Sequence, residues 1–126
     1  MKKIVMIVEK TKTGYSAYAE KYSVYTVGKN LEQLKSNILE ALNLHFEKDE
    51  IVVTEKDLKI TLDLPQFFEF YKVINAKALS EKIGMNQSLL AQYIIGHKKP
   101  SAAQTQRILN GVHKIGRELA EIRFLL

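Results

Sequence analysis

The sequence predicts an α+β fold in two parts: a β-β-β-α-β module over residues 1–64, then an all-helical module over residues 65–126. Two observations carry this. Before Pro65 the apolar residues form short β-branched runs or alternate with polar ones, around a single stretch of helical period. After Pro65 they recur three and four apart, in short segments punctuated by Gly84, Gly96 and Pro100.

The elements follow in order. Residues 4–8, IVMIV, are a continuous apolar run suited to a central strand covered on both faces. Thr11-Lys12-Thr13-Gly14 is a turn, and residues 15–20 are a second strand with Ala17 and Ala19 on one face and Tyr18 on the other. Residues 22–27 are a third strand, rich in β-formers and closed by Gly28-Lys29. Asn30 then caps a helix, with Gln33 three positions on in a variant capping box. Leu31, Leu34, Ile38, Ala41, Leu42 and Phe46 form its apolar stripe. Residues 47–50 are a charged loop, and residues 51–53 are a short strand or a packed lead-in. Leu58, Ile60, Leu62 and Leu64 alternate with Lys59, Thr61 and Asp63, as in a half-buried fourth strand. Pro65 suits the first turn of a helix that runs to about Ile74, with Phe67, Phe68, Phe70, Tyr71 and Ile74 supplying bulk to the helical module.

The most informative stretch is residues 77–101. Leu79 and Ile83 lie four apart on one helix, which Gly84 closes, because glycine takes a left-handed C-terminal position without a Cβ penalty. Met85 is an apolar plug. Asn86 caps a second short helix with Leu90, Tyr93 and Ile94 on one face, and Gly96 ends it. His97-Lys98-Lys99-Pro100 is a basic loop. Two short helices joined by a tight glycine-containing turn are a helix-turn-helix signature, and the partner it implies is DNA. Charge agrees. Residues 1–64 carry 10 Lys/Arg and 10 Asp/Glu, whereas residues 65–126 carry 9 against 4, so the whole net charge of +5 lies on the helical half.

Ser101 caps a last helix in which Ile108, Val112, Ile115, Leu119 and Ile122 are spaced 4-3-4-3. Phe124-Leu125-Leu126 extends that apolar surface. Such a heptad-like seam can pack inside the domain, but with this added apolar surface the expectation is a two-fold homodimer or a higher homo-oligomer, and with it a palindromic operator.

Composition excludes other classes. No apolar run approaches the ~20 residues that span a membrane. Residues 4–8 are too short for a signal-peptide core, so no membrane partner and a cytoplasmic location are expected. Without Cys there is no disulfide framework, no Cys-based zinc site and no thiol catalysis. His45, His97 and His113 fit no metal-ligand spacing. A two-metal nuclease needs carboxylates converging on ions about 4 Å apart. Glu9, Glu40 and Asp57 are better explained as surface acids. No nucleophile elbow or phosphate-binding glycine loop is present. The expectation is a binding protein, not an enzyme, with no cofactor.

Residues 78–101 resemble the phage-repressor (Cro, XRE-like) type of helix-turn-helix domain, in which the third of five helices reads the major groove. The resemblance places Gln87 and Ser88 at the start of the reading helix and Gln92 one turn on, at base-contacting positions; Gln can bond adenine bidentately and Ser either a donor or an acceptor. It places Lys77 on a phosphate, with Lys98 and Lys99 holding the backbone on the other side. Ser80 stands where the family usually has Ala, and its hydroxyl is expected to bond back to a carbonyl. Ile94-Ile95 replaces the family's polar residues, and at least one of the two is expected to be buried.

The first half resembles the HicB family of bacterial antitoxins. The resemblance lies in the opening apolar strand, Gly14-Tyr15-Ser16-Ala17-Tyr18, the Thr26-Val27-Gly28 approach, and the helix over residues 30–46. It implies a partial RNase H-like fold that has lost its catalytic site. It also implies a HicA-like RNA-cleaving toxin as protein partner, and repression of the shared operon through operator DNA. The competing expectation is a transcription regulator whose first domain binds a small ligand or only oligomerises.

Overall fold

The computed structural model describes residues 3–125. The chain forms two compact units that divide between Phe70 and Tyr71.

The first unit follows the predicted β-β-β-α-β order. Strands β1 (Ile4–Thr11), β2 (Gly14–Ala19), β3 (Tyr25–Gly28) and β4 (Leu58–Leu62) form one sheet in the order β3-β2-β1-β4. β1 pairs antiparallel with β2 and parallel with β4, and β2 pairs antiparallel with β3. Helix α1 (Leu31–His45) lies on one face, against β2 and β3. Its Leu34, Ile38 and Leu42 repeat every four residues and are buried with Met6, Val8, Ala17 and Ala19 of the sheet. The strand covered on both faces is thus a correction. Ile4, Met6 and Val8 are buried under the helix, but Val5 and Ile7 on the opposite face are only half-buried.

Caps fix the ends of α1. The Asn30 side chain accepts from the Gln33 N–H at 2.8 Å, and the Gln33 side chain accepts from the Lys29 N–H at 2.6 Å. Gly28 lets the helix approach the sheet: a Cβ there would stand 2.5 Å from the Leu34 nitrogen and 2.6 Å from its Cα. Residues 51–53 form no strand, so the lead-in alternative holds. The Asn43 side chain accepts from the Val53 N–H at 2.7 Å and donates to its carbonyl at 3.0 Å, seating Val53 in the core. Asn43→Leu orphans both backbone groups and should lower stability by about 1–3 kcal/mol in denaturant unfolding.

The third strand is shorter than predicted. Residues 21–23 bend instead, and the Ala19 N–H donates to the Val24 carbonyl across that bend.

Helix α2 (Leu64–Phe70) corrects both the boundary at residue 64 and the predicted helix to Ile74. It belongs to the first unit. The Asp63 N–H donates to the Val8 carbonyl, continuing the sheet ladder, and the Asp63 carboxylate caps the Gln66 N–H at 3.1 Å. The Gln66 amide then bonds both backbone groups of Lys10, at 2.8 and 2.6 Å, where β4 has ended. The helix therefore docks on β1, with Leu64 and Phe68 buried.

The second unit holds α3 (Ala76–Ile83), α4 (Gln87–Ile94) and α5 (Ala102–Glu121). Leu79, Met85, Leu90, Tyr93 and Ile108 are buried. Gly111 brings α5 against α3, since a Cβ there would meet Ile83 Cγ2 at 2.3 Å. With Glu69 on the first unit, the second carries nine Lys/Arg against three Asp/Glu. No helix among the described residues is long and apolar enough to cross a membrane.

Candidate nucleic-acid interface

The turn between α3 and α4 is built by backbone chemistry. Gly84 is left-handed at φ 68°, the Met85 N–H donates to the Ser80 carbonyl at 2.9 Å, and the Gly84 N–H donates to the Glu81 carbonyl at 3.3 Å. These two bonds are the Schellman pair that closes a helix. Met85 packs inward, and the Asn86 side chain accepts from the Leu89 N–H at 3.1 Å to start α4. Asn75 does the same for α3, accepting from the Ala78 N–H at 3.0 Å. Ser80 is buried and its hydroxyl donates to the Lys77 carbonyl at 2.6 Å, the expected back-bond.

Arg107 of α5 is a residue that local pattern did not indicate. Its guanidinium donates to the Ile83 carbonyl at 2.9 Å and the Gly84 carbonyl at 2.7 Å. It thereby satisfies acceptors that the end of α3 leaves open and ties the turn to α5. The exposed Lys82–Glu118 pair at 3.1 Å joins the same two helices and contributes little.

The predicted contact residues fall as follows. Gln87 and Ser88 are exposed in the first turn of α4, while Leu90 and Tyr93 anchor its other side. Gln92 is half-exposed one turn beyond Ser88, so Ser88, Ala91, Gln92 and Ile95 share the outward face. Ile95 is exposed and Ile94 half-buried, so the expected burial of one isoleucine is met only in part. Lys98 and Lys99 are exposed in the loop after α4. That loop folds back on the helix, the Gln92 carbonyl accepting from the His97 N–H at 2.9 Å and the Lys98 N–H at 3.3 Å. Lys77 is exposed in the first turn of α3. The structure thus gathers Gln87, Ser88, Gln92, Lys98 and Lys99 around one helix, with Lys77 on the helix before it.

The α5 seam is buried at Ile108, half-buried at Val112 and Ile115, and exposed at Leu119 and Ile122, 60% and 56% respectively. Leu125 beyond it is exposed; the Phe124 side chain and Leu126 lie outside the described residues.

Of the acids weighed for a metal site, Asp57 accepts from the Thr54 N–H at 2.9 Å, Glu40 is exposed on α1, and Glu9 lies half-buried on β1. No three His, Cys, Asp or Glu among the described residues stand where they could hold a metal ion.

A four-stranded mixed sheet backed by one helix, followed by a helical unit with a capped two-helix turn, defines a two-part α+β protein. No family profile matches the chain. A curated UPF0150 protein of Archaeoglobus fulgidus is 38% identical over 47 residues, covering 37% of this chain and 71% of that protein. The chain belongs to the UPF0150 family.

Proposed function

We propose that this protein is a HicB-like antitoxin that neutralises a HicA-like RNA-cleaving toxin and represses its own operon by binding operator DNA. The observation that carries this reading is the UPF0150 relationship, a family commonly linked to HicB-like antitoxins. The sheet supports it, because three antiparallel strands and a fourth parallel to the first are what a partial RNase H-like module requires. The protein acts by binding in the cytoplasm, without catalysis or a cofactor. Co-expression with the short reading frame adjoining its own gene tests the proposal. Growth arrest by that frame alone, relieved by this chain, is the expected result; arrest that persists, or none at all, contradicts it.

In this account α4 is the reading helix of a helix-turn-helix domain. Gln87, Ser88 and Gln92 supply hydrogen bonds to base edges, and Ala91 and Ile95 on the same face suit thymine methyl groups. Lys77, Lys98 and Lys99 neutralise phosphates. Lys98→Ala with Lys99→Ala should weaken binding to every DNA sequence alike and reduce the magnitude of the salt slope by about 2, measured as log affinity against log salt.

The uncovered end of the α5 seam pairs with a second copy. Leu119→Lys with Ile122→Lys should convert a dimer to a monomer in sedimentation and lose operator binding with it. A wild-type monomer, or a dimeric variant, contradicts the assignment.

A further inference from the structure

Only Gly84, Met85 and Asn86 separate the end of α3 from the start of α4. α4 and α5 both pack against α3. The direction in which α4 leaves α3 is therefore set by the backbone of these three residues. Gly84 is left-handed, so the chain turns away from the helix there, and the Ile83 and Gly84 carbonyls lie beyond the N–H groups of α3.

Arg107 supplies their donor from α5. Its Nη2 donates to both, at 2.9 and 2.7 Å, and lies 3.4 Å from where a Cβ on Gly84 would stand. Gly111, one turn further along the same face of α5, stands against Ile83. Close packing at Gly111 fixes where α5 crosses the end of α3. The charge-assisted bonds of Arg107 then hold the turn against that crossing. A cation at the C-terminal end of α3 also sits where the helix dipole is negative.

We infer that Arg107 is a positioning residue for base readout: it holds α4 at the angle from which Gln87, Ser88 and Gln92 reach base edges, without itself touching DNA. The inference rests on the DNA-reading part of the proposed function and deepens it. Hydrogen bonds form over a donor–acceptor range of only about 0.5 Å, so several base-edge bonds from one helix demand a fixed helix axis. Lys98 and Lys99 carry their charge on flexible four-carbon stems, which follow a phosphate through larger displacements. Loosening the turn should therefore remove sequence selectivity and spare general affinity for DNA. The residue after Arg107, Ile108, opens the α5 seam, so the same contact ties the reading helix to the helix that carries the seam.

The test titrates the full chain on its upstream promoter and on scrambled DNA over a range of salt. Two variants are compared: Arg107→Met, which keeps an apolar stem and loses the donors, and Arg107→Lys, which keeps the charge on a shorter stem. Arg107→Met should lower promoter affinity about tenfold, the loss of roughly one bidentate contact, and leave scrambled-DNA affinity and the salt slope at wild-type values. Arg107→Lys should not restore the wild-type ratio of promoter to scrambled affinity, and it decides the matter if Arg107→Met fails to fold. Circular dichroism and sedimentation should match wild type. Equal weakening on both DNAs with a salt slope smaller by about 1, or full recovery in Arg107→Lys, makes Arg107 a phosphate contact and overturns the inference. An unchanged ratio, with or without a lower melting temperature, makes it a structural tie alone and overturns it too. So does a ratio lost only together with the oligomer, which places the effect in the seam. A wild-type chain without promoter selectivity overturns the DNA reading, and this role with it.

Discussion

Gln87→Ala combined with Gln92→Ala should abolish discrimination between the chain's own promoter and unrelated DNA. A good bidentate contact between a side chain and a base is worth about 1–3 kcal/mol, so losing two costs roughly 30-fold to 10⁴-fold in specific affinity. The residual binding should match that of wild type on scrambled DNA, because Lys77, Lys98 and Lys99 remain. Fold is not at issue: Gln87 is exposed and Gln92 half-exposed, while α4 is held by the Asn86 cap and by buried Leu90 and Tyr93. Alanine is also a slightly better helix former. Comparing the double variant on both DNAs reads this effect, and an unchanged affinity ratio would remove α4 from the reading position.

Gly28→Ala should strongly destabilise the first unit. The added carbon would sit 2.5 Å from the Leu34 nitrogen, 2.6 Å from its Cα and 2.9 Å from its Cβ. The first two are backbone atoms of the helix itself, which cannot rotate aside. Relief requires α1 to move off β3, opening the contact of Leu34 and Ile38 with the sheet. Overpacking costs typically 1–3 kcal/mol, and a backbone clash belongs at the upper end, about 3 kcal/mol. For a unit of this size that lowers the melting temperature by roughly 12–24 °C. Gly116→Ala is the control. Nothing lies within 4 Å of its added carbon, so removing a helical glycine should leave stability unchanged or raise it by up to about 1 kcal/mol. Equal melting temperatures for Gly28→Ala and wild type would contradict the packing account.

What was legible in the sequence is what local chemistry encodes. Asn30 with Gln33, and the stripe Leu34-Ile38-Leu42, define α1 from within fifteen residues, so its limits came out nearly unchanged. The turn from Gly84 to Asn86 was likewise readable, because its cap, glycine and plug are contiguous. What escaped depends on distant partners. Local pattern assigns α2 to the helical unit because its aromatic residues look like any helical core. Its true partner is set by the Gln66 amide on the backbone of Lys10, 56 residues away. Arg107 on the carbonyls of Ile83 and Gly84, and Asn43 on Val53, are invisible for the same reason. In the sequence the α5 seam is one continuous stripe. Periodicity tells which residues share a face, but not how far along that face a partner reaches, and here coverage thins beyond Ile108.

The central claim is that the helical unit binds the chain's own operator specifically. A fluorescence-anisotropy titration of the purified protein against its upstream promoter, with scrambled DNA as control and at two salt concentrations, tests it most directly. The account predicts tight promoter-selective binding that weakens with salt on both DNAs while selectivity persists. Equal, weak and salt-sensitive binding to both would contradict it, leaving a basic surface without a reading helix.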